Sequence, residues 1–209
     1  AEEKLELPDA VVASGIKIIE IGSFVHPKAV PQVADTGEVA KRMKRVPGVE
    51  YRVLVPNLKG LERAYDAGLT KAKLTVSVSE THCMANFNQS PLQMMEGFKP
   101  CMEFAAKNGM AISGALSCAW GCAWEGKIPV AQIEKVTRAF LDLGITELSL
   151  SDATGMANPR HVYEMGGRLR KTFPEVTWVL HLHNTRGMAL ACAEAALQVG
   201  ITSVAGSFA

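Results

Sequence analysis

The sequence predicts an α/β fold made from one repeated unit, a short β-rich apolar run followed by an amphipathic helix. Three observations carry this. The unit recurs along essentially the whole chain. Its helical segments open near Pro, where a missing N–H is harmless, and close on Gly, as a left-handed cap requires. No Gly-rich phosphate loop follows the first strand, which argues against a doubly wound dinucleotide fold.

Element by element, the candidate strands are 17–21, 51–55, 73–78, 111–116, 147–150, 176–181 and 202–207. They read as apolar runs, the pattern of a parallel sheet buried on both faces. Helices are expected at 36–45, 58–67, 91–108, 129–143, 159–173 and 186–199, with Gly68, Gly109, Gly144 and Gly200 just past four of them. Residues 1–14 form a further helix, in which Pro8 marks a kink or local irregularity. Seven strand–helix repeats favour a (β/α)8 TIM barrel over an open sheet. The chain starts in a helix and stops in a strand. The expectation is therefore one catalytic domain over residues 1–209, a barrel lacking its first strand and the segment after its eighth strand. With both flanking pieces gone, unpaired edges would favour association, and a homo-oligomer is expected.

Composition narrows the partners. Of 209 residues, 48% are hydrophobic and 21% charged, with a formal net charge of +1. No face is biased toward nucleic acid or an anionic membrane, and residues 41–45 (KRMKR) are too short a basic run to change that. No apolar run approaches the roughly 20 residues of a membrane span. The acidic N-terminal stretch is not a signal peptide. Cys83, Cys101, Cys118, Cys122 and Cys192 are odd in number and irregular in spacing, the mark of free thiols in a reducing compartment and hence of a cytoplasmic protein, or of the mitochondrial matrix in a eukaryote.

In a barrel, chemistry gathers at the C-terminal ends of the strands. There the sequence offers Glu20, Ser23 and His26, then Asn57, then Ser79, Glu80 and His82, then Ser117 and Cys118, then Ser151, Asp152 and Thr154, then His181, His183 and Asn184, and last Ser207. His181 and His183 end an otherwise apolar strand. Two apart, they project to the same face and can share one cation. With oxygen co-ligands that cation would be magnesium or manganese. The alternative is a histidine pair hydrogen-bonded to neighbours. Glu20 lies in "IKIIEIGSF" and is costly inside a barrel unless it serves a metal or pairs with an interior Lys or Arg. Asp152 ends "ELSLSDATG" and could equally cap the following turn.

Five blocks then resemble the 3-hydroxy-3-methylglutaryl-CoA lyase family of metal-dependent TIM-barrel enzymes: "IIEIGSFVHPKAVPQVADTGEV", "LVPNLKGLERAYDAG", "SCAWGCAWEG", "LSLSDATGMANP" and "HLHNTRGMALA". The resemblance implies that His181 and His183 bind a divalent metal, Mg or Mn. It implies that Asp152 and Glu20 are catalytic acids and that Ser23 and Asn57 line the substrate site. It places Ser113 and Ala115 where family members carry a large basic and an aromatic residue, so the acyl pocket is expected to be wide. The family's Arg-Asp-Gly segment would precede this chain and its catalytic cysteine loop would follow it, so none of the five cysteines is that residue. The implied reaction is retro-Claisen cleavage of a 3-hydroxy-3-methylglutaryl-CoA-type thioester to acetoacetate and acetyl-CoA, as in leucine degradation. Weighed beside it are a lyase for a longer-branched 3-hydroxyglutaryl-CoA, a 2-ketoacid/acetyl-CoA condensing enzyme and a catalytically inactive barrel.

Overall fold

A computed structural model describes residues 2–207. Among them are seven β-strands, hydrogen-bonded in chain order, with parallel pairing wherever the register is defined. They are β1 (Ile18–Ser23), β2 (Glu50–Val55), β3 (Lys71–Ser77), β4 (Ala111–Ser117), β5 (Glu147–Asp152), β6 (Thr177–Leu182) and β7 (Ser203–Gly206). Sequential order is what repeated right-handed crossovers give, and what a barrel requires. The chain forms two compact units, Ala1–Leu74 with Gly97–Ile112, and Thr75–Glu96 with Ser113–Ala209.

In the first unit, α1 (Glu2–Ala13), α2 (Thr36–Arg42) and α3 (Leu58–Asp66) accompany β1 and β2. Helix α1 runs through Pro8, whose ring is buried. The core is aliphatic: Val53, Val55, Leu61, Ala64, Ala72 and Leu74 are fully buried. The strands are not apolar on both faces, as their sequences suggested. Glu20 pairs in register with Arg52, Arg52 with Lys71, and Leu54 with Lys73, so charges alternate onto one face. Arg52 and Lys73 are nonetheless buried. They are tolerated because Arg52 bonds Glu50, and Lys73 Nζ lies 2.5 Å from Glu20 Oε2.

In the second unit, α4 (Glu80–Phe87), a helix that the sequence reading missed, follows β3. Ser79 caps it by accepting the His82 N–H at 3.1 Å. The helix expected over 91–108 is two, α5 (Pro91–Gly97) and α6 (Lys99–Asn108), the latter belonging to the first unit. The break falls at Phe98 because Pro100 supplies no N–H and restricts the residue before it. Helix α7 (Val130–Asp142) lies against β4 and β5. A Cβ at Gly114 would stand 2.7 Å from Phe140 and 2.6 Å from Leu148, so this strand must stay bare on its helix side. The helix expected over 159–173 contains a π-helical stretch, Val162–Gly166, between α8 (Pro159–His161) and α9 (Gly167–Thr172). Last comes α10 (Ala189–Gln198).

Candidate active site

The register of the second unit sorts the strand side chains into two faces. Ala115 pairs with Ser149, Ser149 with Val179, Ser151 with His181, and His181 with Ala205. Since a side chain at Gly114 would meet α7, Ser113 and Ala115 look the other way, onto the face of Ser149, Ser151 and His181. Small residues and Val179 line that face, and His181 is half-buried at the strand end. Ser113 and Ala115 are themselves buried.

His183 lies one residue beyond β6, where the chain turns. Its Nε2 is 3.1 Å from His181 Nε2, with the rings nearly perpendicular. Two imine lone pairs at that distance repel unless a proton or a cation lies between them. Two nitrogen ligands at about 2.1 Å and at right angles on one cation sit roughly 3.0 Å apart, so the pair fits two positions of an octahedral ion. Among the described residues, no cluster of three or more His, Cys, Asp or Glu side chains joins it.

Asp152 pairs in register with Leu182, on the face opposite His181. It is 3% exposed. Its Oδ1 accepts the Met156 N–H at 2.8 Å, and its Oδ2 accepts the Ala157 N–H at 3.1 Å. Burial pushes the carboxyl above the ordinary aspartate value. The N–H groups of Ala157 and Met156, then His183 and Arg186, oppose that rise. The geometry thus makes Asp152 an anchor of the 153–157 loop that also lies within the electrostatic reach of His183.

In the first unit, Glu20 is exposed yet held by Lys73, the interior-lysine pairing that the sequence left open. Asn57 Oδ1 accepts the Gly60 N–H at 3.0 Å and caps α3. Ser23 Oγ accepts the Val25 N–H at 3.3 Å. His26 is exposed, and Ser207 lies just past β7.

The sequence reading passed over two residues of the strand-end loops. Glu125 Oε1 accepts the Thr81 N–H and lies 2.9 Å from Ser79 Oγ, tying the loop after β4 to α4. Arg186 reaches across to the loop after β5. Arg186 lies in a tight turn between Asn184, with a left-handed φ of 50°, and Gly187, with one of 71°.

Comparison with known proteins places the chain in a family. The HMGL-like family matches residues 1–209. The chain is 40% identical over 206 residues to hydroxymethylglutaryl-CoA lyase YngG of Bacillus subtilis (strain 168), covering 99% of this chain and 69% of that protein. The chain belongs to the HMGL-like family. To the mitochondrial hydroxymethylglutaryl-CoA lyase of Homo sapiens it is 37% identical, covering 99% of this chain and 63% of that one. The crystal structure of the Bacillus subtilis HMG-CoA lyase aligns with a TM-score of 0.94 at 39% identity, over 99% of this chain and 70% of that chain. An HMG-CoA lyase of Acinetobacter baumannii in complex with coenzyme A and 3-methylmalate aligns at 0.90 and 35% identity, over 98% and 67%. The chain thus spans between 63% and 70% of the length of these family members.

Proposed function

We propose that the protein of this chain is a carbon–carbon lyase that cleaves 3-hydroxy-3-methylglutaryl-CoA to acetoacetate and acetyl-CoA. The observation that carries this is the likeness to hydroxymethylglutaryl-CoA lyases over 99% of the chain, with a converging histidine pair at a strand end. The relative solved with coenzyme A supports a CoA thioester as the substrate.

His181 and His183 would hold a divalent cation, Mg or Mn, through their Nε2 atoms. Such an ion supplies Lewis acidity, drawing electron density from the substrate's hydroxyl and acyl oxygens. The substrate hydroxyl loses its proton to a base, the bond between the carbinol carbon and the thioester α-carbon breaks, and the electron pair passes to the thioester as an enolate. Protonation of that enolate gives acetyl-CoA, so no net proton is gained or lost.

Glu20 and Asp152 are the two acids of this proposal. Asp152 fixes the 153–157 loop through its two N–H contacts and lies within electrostatic reach of His183. Glu20, exposed and paired with Lys73, is assigned as the second acid. Ser23 and Asn57 stand at strand ends and are assigned to the substrate rim. Ser113 and Ala115 are assigned to the acyl pocket, where their small size would leave room for longer 3-alkyl analogues. Residues 1–209 act in this reading as part of one barrel domain, in a reducing compartment, within a homo-oligomer. No helix among the described residues is long and apolar enough to cross a membrane.

The test is acetoacetate release from 3-hydroxy-3-methylglutaryl-CoA by the full-length protein, with Mg2+ or Mn2+ and with EDTA. Metal-dependent cleavage is expected. No cleavage under either metal, with the protein folded, overturns the proposal.

A further inference from the structure

The strand-end loops of the second unit are tied in series. Thr154 Oγ1 donates to Gly121 O at 3.0 Å and joins the loop after β5 to the loop after β4. Arg186 Nη1 donates to Thr154 O at 3.1 Å and to Gly155 O at 2.6 Å, and joins the loop after β6 to the loop after β5. The loops also touch closely. A Cβ at Gly121 would lie 2.9 Å from Met156 Sδ, and one at Gly155 would lie 2.4 Å from Thr185 Cβ.

His181 and His183 are secured differently. His181 belongs to β6 and is held by the ladder on both sides. His183 is beyond the strand, exposed, in a turn closed by the Gly187 N–H on Asn184 O and the Ala189 N–H on Asn184 Oδ1. Those bonds fix the shape of the turn but not its position over the neighbouring loop. Arg186, three residues along the same turn, supplies that tie through two carbonyls.

We propose that Arg186 is a positioning residue that holds His183 against His181, so that the pair is set for a cation before one arrives. This rests on the reading of the pair as a cation site. A ligand already held in place loses less freedom on binding, and groups supporting a metal ligand commonly change metal affinity by about 10–100-fold when removed.

The experiment compares full-length wild type, Arg186→Gln, Arg186→Lys, Thr154→Val and His183→Ala. Mn2+ alone is titrated by calorimetry, and amide hydrogen exchange over 184–189 is followed without metal. Arg186→Gln should weaken Mn2+ binding about tenfold and speed exchange of the turn, with Tm unchanged because the side chain is exposed. Arg186→Lys, which keeps a donor, should fall between it and wild type. Thr154→Val removes only the tie to Gly121 and leaves both carbonyl acceptors, so its Mn2+ affinity should match wild type. An Arg186→Gln protein binding Mn2+ within twofold of wild type overturns the proposal, and if that variant does not fold, Arg186→Lys with Mn2+ affinity and exchange of 184–189 both equal to wild type overturns it. If wild type takes up no more Mn2+ than His183→Ala, the cation-site reading fails and the proposal falls with it. That outcome is distinct from one in which wild type binds and Arg186 makes no difference.

Discussion

Gly155→Ala probes the interlocked loops with the least chemical change. Gly155 is buried with φ of +65°, a region where an L-residue costs about 1–2 kcal/mol. The added methyl would also stand 2.4 Å from both Cβ and Oγ1 of Thr185. Thr185 Cβ is not the loose end of a long side chain, so relief requires backbone movement, typically about 1–3 kcal/mol. Together the loss is about 2–5 kcal/mol, a fall in Tm of roughly 5–15 °C for a chain of this size. The assay is thermal unfolding followed by circular dichroism, checked by urea titration. Thr185→Gly in the same protein removes the struck atoms and should restore the packing part of the loss while leaving the left-handed part. A Gly155→Ala protein with a Tm within 1–2 °C of wild type would refute the close approach of these loops.

His183→Ala should abolish Mn2+ binding in calorimetry and metal-dependent cleavage, with the circular dichroism spectrum unchanged because the residue lies beyond β6. Asp152→Asn keeps Oδ1 for Met156 but sets an amide NH2 against the Ala157 N–H, so turnover should fall about tenfold; a loss of about 10²–10⁴-fold in kcat would instead make Asp152 the proton carrier. All five cysteines are buried, and burial raises the Cys83 and Cys101 thiols to about 11. Iodoacetamide at pH 8 should therefore label them slowly in the native protein and rapidly in urea, and fast native labelling of either would contradict the packing. Restoring bulk with Ser113→Arg and Ala115→Tyr should lower kcat/KM for longer 3-alkyl analogues at least tenfold relative to the methyl substrate, within the roughly 1–3 kcal/mol a methylene can discriminate.

The regular part of the fold was legible because parallel strands and their glycine-capped helices leave local marks. Gly68, Gly109, Gly144 and Gly200 all have positive φ where the sequence expected helix ends. The errors arose where tertiary partners decide. "EYRVLV" and "KAKLTVS" alternate charge with period two, but were read as doubly apolar because the counter-ions Glu20 and Glu50 lie on other strands or at the strand start. Helix α4 was hidden because Ser79, Glu80 and His82 also suit an active-site loop; the capping bond from His82 N to Ser79 Oγ distinguishes the two. The spacing pointed to the histidine pair, although His183 lies beyond β6 and meets His181 from the following turn. Arg186 was not legible, because its partners are backbone carbonyls 31 and 32 residues away in sequence.

The central claim is that His181 and His183 jointly hold the cation of a lyase. It is tested most directly by crystals of the full-length protein soaked in Mn2+ and measured at the manganese absorption edge. The account predicts an anomalous peak within bonding distance of both Nε2 atoms, about 2.1–2.3 Å from each, absent from His183→Ala crystals. A map with the manganese peak elsewhere, and the two imidazoles still in contact with each other, would contradict it.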